Sequence, residues 1–123
     1  IRVRLLMTTG CIEYWLMLHH RFYTPSLQTV AEKERVISEI KAEEPLYEKG
    51  NYEITAKIAE KYPVAVKNAK KTVKRFLDEG MPGLEDTDAR NQWLYRKCLT
   101  FSNVYEAIEF LENLEKNSIR KCR

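Results

Sequence analysis

Residues 24–44 read TPSLQTVAEKERVISEIKAEE, and this stretch decides the fold class. Leu27, Val30, Ile37 and Ile40 recur at steps of three, seven and three, which sets them along one side of a helix with 3.6 residues per turn. Glu32, Lys33, Glu34, Arg35 and Glu39 fall mostly on the other side, toward water. Thr24 can cap free N–H groups and Pro25 fits a first helical turn, so the expected start lies there. Pro45 stops the helix.

The same alternation of helical pattern and breaker continues in both directions. Upstream, CIEYWLMLHHRF at 11–22 predicts an apolar-rich helix with Tyr14, Trp15 and Leu18 clustered. Downstream, Gly50-Asn51 marks a turn with Asn51 as a cap, and Ile54 and Ile58 define a short helix that Pro63 ends or kinks. Val66, Ala69, Val73 and Phe76 or Leu77 then keep a core spacing as far as Gly80-Met81-Pro82-Gly83. Glu85, Asp86 and Asp88 precede a helix through about Cys98, matching the positive end of its dipole. Asn103 followed by Glu106 resembles a capping box, with Ser102 as an alternative cap, and Val104, Ile108, Leu111 and Leu114 or Glu115 give the stripe of the last helix. The expectation is an all-α fold, a small antiparallel helical bundle of five or six helices. Its parts are an extended basic N-terminal segment at 1–10 and a single helical domain at 11–123.

With 123 residues, 44% of them apolar and 32% charged, the chain has the composition of one folded domain. Its longest apolar run, Tyr14 to Leu18, is far below the ~20 residues of a membrane span. The net charge of +3 is unevenly placed. Residues 63–75 hold five Lys/Arg and no acid, whereas 1–62 balance at nine against nine and 76–123 hold seven against nine. Lys67, Lys70, Lys71, Lys74 and Arg75 sit at i, i+3, i+4, i+7 and i+8, along one side of a helix whose other side is apolar. Like charges at this spacing repel, and an anionic partner relieves the repulsion. RNA, lipid head groups or an acidic protein could supply it; acids from neighbouring helices are the purely structural alternative. A pI of 8.7 is modest for a protein built around nucleic acid. The one aromatic of the segment, Phe76, is assigned to the core, so no stacking platform for single-stranded RNA is visible.

Catalytic constellations are absent from the pattern. His19 and His20 are adjacent, about 100° apart on a helix, and cannot grip one ion together. There is no Gly-rich phosphate loop and no nucleophile elbow. Glu43-Glu44 and Glu85-Asp86-Asp88 flank helix breaks, where capping explains them. Cys11, Cys98 and Cys122 are odd in number and lack CxxC spacing, which reads as free thiols in a reducing compartment. No catalytic residue, cofactor or metal ligand is assigned. The chain has twelve aromatics outside the basic stretch, enough that some are expected to meet a partner. Trp15 and Trp93 read first as core filling, and Trp15 is kept as a candidate contact. The opening IRVRLLMTTGCI, with two arginines, two threonines and no acid, has the composition of the end of a mitochondrial presequence or the start of a matrix protein, an ordinary basic N-terminus being the alternative.

Three motifs carry a family resemblance. Thr8-Thr9-Gly10, then Tyr23, Leu27 and Val30 in FYTPSLQTV, then Tyr47, Lys49, Ile54 and Thr55 in YEKGNYEIT, resemble successive motifs of the alpha-subcomplex accessory subunit 5 family of mitochondrial complex I. Glu13 stands where that family usually has glycine, and Lys41 where it has proline. The resemblance implies a small, all-helical, non-catalytic subunit on the matrix side, bound to other protein subunits of the respiratory chain, with Thr8, Thr9 and Gly10 among its contacts. A second likeness joins Trp15–Arg21 to VKNAKKTVKRFLDE at 66–79 and is similar to the mitochondrial large-subunit ribosomal protein related to bacterial ribosomal protein twenty-nine; it implies a basic helix lying on rRNA. A third reading is a small helical enzyme, in which Cys98 or Cys11 would share a pocket with His19 or His20.

Overall fold

The structure, a computed structural model, describes residues 3–121, with side chains placed for 3–117. It contains six α-helices and no β-strand among the described residues: α1 (Ile12–Leu18), α2 (Val30–Glu43), α3 (Tyr52–Ala59), α4 (Tyr62–Arg75), α5 (Asp88–Lys97) and α6 (Tyr105–Lys121), with a 3-10 turn at Phe76–Glu79 after α4. The all-α bundle expected from the sequence is the fold observed.

The hub is α1. Every residue from Glu13 to Leu18 is buried, and a helix apolar all round belongs in an interior. It packs against α2 on one side and α4 on the other, and α4 in turn packs against α6. The helix ends at Leu18, short of the expected Phe22, and the chain leaves it through a turn at His19 and His20. Asn68 on α4 holds that exit by donating from Nδ2 to the Leu18 carbonyl at 2.8 Å.

The start of α2 corrects the sequence expectation. Thr24-Pro25 lies in a loop, and the cap is Thr29, whose hydroxyl accepts from the Glu32 N–H at 3.2 Å while the Glu32 carboxylate accepts from the Thr29 N–H at 3.0 Å. Thr29-Val30-Ala31-Glu32 has the spacing a capping box needs, whereas Thr24 has Leu27 three residues on and no acid to close the box. The shift turns the helix. Val36 and Ile40 face the core, while Val30 is exposed.

Asn51 caps α3 as expected, accepting from the Ile54 N–H at 3.2 Å. Pro63 does not end that helix from within; it sits in the first turn of α4, where its missing N–H costs nothing. Ala65, Ala69, Val73 and Phe76 form the buried side of α4, and Leu77 is exposed. Gly80, at φ 106°, terminates the 3-10 turn in the left-handed region. Thr87 caps α5 by accepting from the Arg90 N–H at 3.2 Å.

Asn103 does not act as the box cap of α6. Its side chain accepts from the Met7 N–H and donates to the Leu5 carbonyl. It is one of several stitches that fasten the N-terminal segment to residues 99–103. The Thr9 N–H donates to the Phe101 carbonyl at 2.9 Å, the Thr9 hydroxyl accepts from the Phe101 N–H at 3.1 Å, and the Asn103 N–H donates to the Met7 carbonyl at 3.0 Å. Thr8 and Ser102 form an isolated antiparallel bridge. Gly10, at φ 75°, closes this strap over the core: a Cβ placed there would lie 3.1 Å from the Leu27 side chain.

Candidate interaction surface

Helix α4 has two unlike sides. Its alanines and Val73 pack inward, and Lys67, Lys71, Lys74 and Arg75 are exposed on the other side with Lys70 half-buried beside them. The five cations line a shallow hollow of about 500 Å³ together with Asp78. Lys70 donates to the Glu109 carboxylate of α6 at 2.9 Å, the helix-to-helix compensation that balanced charge would give throughout. It is the one exception. Among the described residues, Lys67, Lys71, Lys74 and Arg75 have no carboxylate within ion-pair distance.

The exit from α1 adds an aromatic to this face that the local sequence does not show. Phe22 lies beneath it, with Lys71 Nζ 4.6 Å and Arg75 Cζ 4.8 Å from its ring centroid. Cations over a π face are held by the ring quadrupole, so Phe22 fixes two of the five charges in place. Fifty residues of chain separate the partners, and no spacing rule links them.

The other expected contacts fall inside the fold. Trp15 is buried, its indole edge-on to the His19 imidazole with centroids 5.1 Å apart. Thr8 and Thr9 are half-buried in the strap, where their hydroxyls bond Ser102, Leu99 and Phe101, and Gly10 is exposed against Leu27. As contacts to a partner, Trp15, Thr8 and Thr9 are therefore corrected: packing and internal hydrogen bonds already use them.

Several titratable groups are shifted by burial. The buried His19 ring is held below the usual imidazole range, chiefly by desolvation, and its Nδ1–H donates to the Trp15 carbonyl at 3.0 Å, since a carbonyl can only accept. His20 is also lowered by desolvation, with Lys61 nearby as a second cause. Desolvation raises Cys11 as well, and a raised thiol is a poor nucleophile. Tyr47 is pushed up to about 12 by burial and by Glu13, whose carboxylate is enclosed with Lys49 Nζ 3.9 Å away. Cys98 is exposed and lies in a cleft of about 510 Å³ whose lining includes Arg75 and Glu79 but no histidine. Cys122 lies outside the described residues. Among the described residues no group of three His, Cys, Asp or Glu side chains is placed to hold a metal, and no helix is long and apolar enough to cross a membrane.

The sequence reading missed one charged cluster altogether. Arg90 is fully buried and pairs with Glu106 through both terminal nitrogens, while Asp86 approaches it at 3.6 Å and the Leu84 carbonyl accepts from it at 2.9 Å. Arg4 approaches Asp86 and Glu106 at 3.7 Å from outside. Asp86 and Glu106, taken from the sequence as capping acids, serve this network instead. Desolvated charges this well paired fix the geometry of a core.

No family model matches this chain, and neither a curated protein nor a solved structure matches it.

Proposed function

We propose that this chain is a non-catalytic subunit of a larger assembly, docked by electrostatic contact between the basic side of α4 and an acidic surface of a neighbouring protein. The observation that carries the reading is the uncompensated row Lys67, Lys71, Lys74 and Arg75, two of whose members are held over Phe22. Charges fixed in place lose less side-chain entropy on binding than freely rotating ones, and complementary surfaces speed and orient encounter.

An acidic protein fits this face better than single-stranded RNA does. A base needs a free aromatic face to stack on, and the Phe22 ring is already engaged by two cations. The finer form of the proposal, an accessory subunit on the matrix side of mitochondrial complex I, is supported by the Thr8-Thr9-Gly10, FYTPSLQTV and YEKGNYEIT motifs and by the acid-free opening of the chain.

Native mass spectrometry of the protein as isolated from its source tests the proposal. The wild-type chain is expected within a higher-mass complex, and the Lys67→Glu, Lys71→Glu, Lys74→Glu triple variant as a free, helical chain. Unchanged incorporation of that variant overturns the docking role. Binding to RNA with a log-log salt slope of several units would replace the acidic protein by RNA.

A further inference from the structure

Helix α6 enters the body through Tyr105 and Glu106, both buried, and then leaves it. Phe110, Leu111 and Leu114 are 55, 62 and 48% exposed. They lie at i, i+1 and i+4, on one side of the helix. Single exposed leucines are ordinary on protein surfaces; three large apolar neighbours on one helical side form a patch. The patch has an acidic border. Glu106, Glu109, Glu112 and Glu115 follow one another at three-residue steps, and Lys116 is the one cation among the described side chains of α6. Beside Phe110 opens a cleft of about 390 Å³ into which Glu85, Asp86, Glu106 and Glu109 face, with Arg4 and Lys70 as the only cations of its lining.

We infer that the outer half of α6 is a docking surface for a basic amphipathic helix of a partner protein. The apolar side of that helix covers Phe110, Leu111 and Leu114, and its Lys or Arg side chains meet Glu109, Glu112 and Glu115. This is helix-in-groove recognition with charge setting the choice of partner. Charge complementarity argues against the other occupants. An anionic lipid surface or RNA would be repelled by the glutamate row. A second α6 would bring one such row against another. The α4 of a second copy offers lysines, but its Ala65, Ala69 and Val73 are buried in its own core and cannot fill the apolar patch. The inference concerns a different surface from the basic side of α4 and stands independently of it.

The test uses the full chain and three labelled peptides of about 18 residues, five helical turns. One carries leucine and lysine at amphipathic spacing, one the same composition scrambled, and one leucine and glutamate at amphipathic spacing. Fluorescence anisotropy is expected to show saturable binding of the first alone. Leu111→Asp with Leu114→Asp is expected to weaken it about ten-fold or more, as is Glu112→Lys with Glu115→Lys. All four positions are on the surface, and circular dichroism checks that the variants keep their helices. The Lys67→Glu, Lys71→Glu, Lys74→Glu variant is expected to bind the peptide as the wild type does, which separates this surface from the one on α4. Equal binding of the scrambled peptide, or undiminished binding by Leu111→Asp with Leu114→Asp, overturns the inference. Sedimentation showing a dimer that dissociates in that double variant also overturns it, by giving the patch to a second copy.

Discussion

Arg90 and Glu106, on different helices, are joined in the interior by a two-point ion pair: the Arg90 guanidinium is fully enclosed, and each of its terminal nitrogens faces one oxygen of the Glu106 carboxylate. The Leu84 carbonyl and the Asn91 side chain take further donors of the same guanidinium, so α5, the loop before it and the start of α6 are fixed to one group. Tyr105, next to Glu106, has its hydroxyl pushed above its usual range by burial first and by Glu106 second.

Arg90→Leu is expected to destabilise the fold by about 3–5 kcal/mol, because it leaves Glu106 and Asp86 desolvated without their main cation. The Arg90→Leu, Glu106→Leu double variant is expected to recover a large part of that loss, since neither charge then remains buried. Urea unfolding of the two single variants and the double variant, read as a double-mutant cycle, measures the coupling. Additive losses would mean that the pair is not a unit.

Gly10→Ala is expected to cost about 1–2 kcal/mol from the left-handed backbone alone, with a further loss from the approach to Leu27 at 3.1 Å. The effect should appear both in the urea midpoint and as faster amide exchange at Thr9, whose N–H donates to Phe101. Stability equal to wild type would show that the strap does not hold the N-terminal segment down.

Removing the aromatic shelf by Phe22→Ala is expected to reduce stability modestly, with about 0.5–1 kcal/mol from each exposed cation–π contact. The larger effect should fall on docking. Freed from Phe22, Lys71 and Arg75 lose their fixed positions, and incorporation into the assembly should decline while the helical content stays constant. Unchanged incorporation would assign Phe22 to packing alone.

His19 makes stability depend on mild acid. Its folded pKa is lowered, so between the ordinary value near 6.5 and the folded value the unfolded chain binds the extra proton and the folded chain does not. Stability is therefore full above about pH 6.5 and falls as pH drops below it. His20 is lowered too and adds in the same sense. Urea midpoints between pH 7.5 and 5 should decline, and His19→Gln should flatten part of that decline. A midpoint that rises on acidification would reverse the assignment.

Much of the helical layout was legible in the sequence because its signals act within one turn. Asn51 and Thr87 cap through side chains that reach three residues along, Gly80 ends the 3-10 turn through its own φ, and the α4 periodicity of Ala69, Val73 and Phe76 faces the core. Where two local signals competed, before α2, Glu32 chose Thr29 over Thr24 through a bond that the spacing alone could have shown.

The sequence by itself determined the fold class, most helix boundaries and the gathering of five positive charges on one side of α4, because these depend on neighbours within four or five residues. The tertiary structure alone decided that Phe22 supports Lys71 and Arg75, that Arg90 finds Glu106, that Thr8 and Thr9 are spent on residues 99–103, and that Phe110, Leu111 and Leu114 face outward. Each of these rests on which elements pack together, and a hydrophobic stripe reads the same in a sequence whether the chain covers it or leaves it for another molecule.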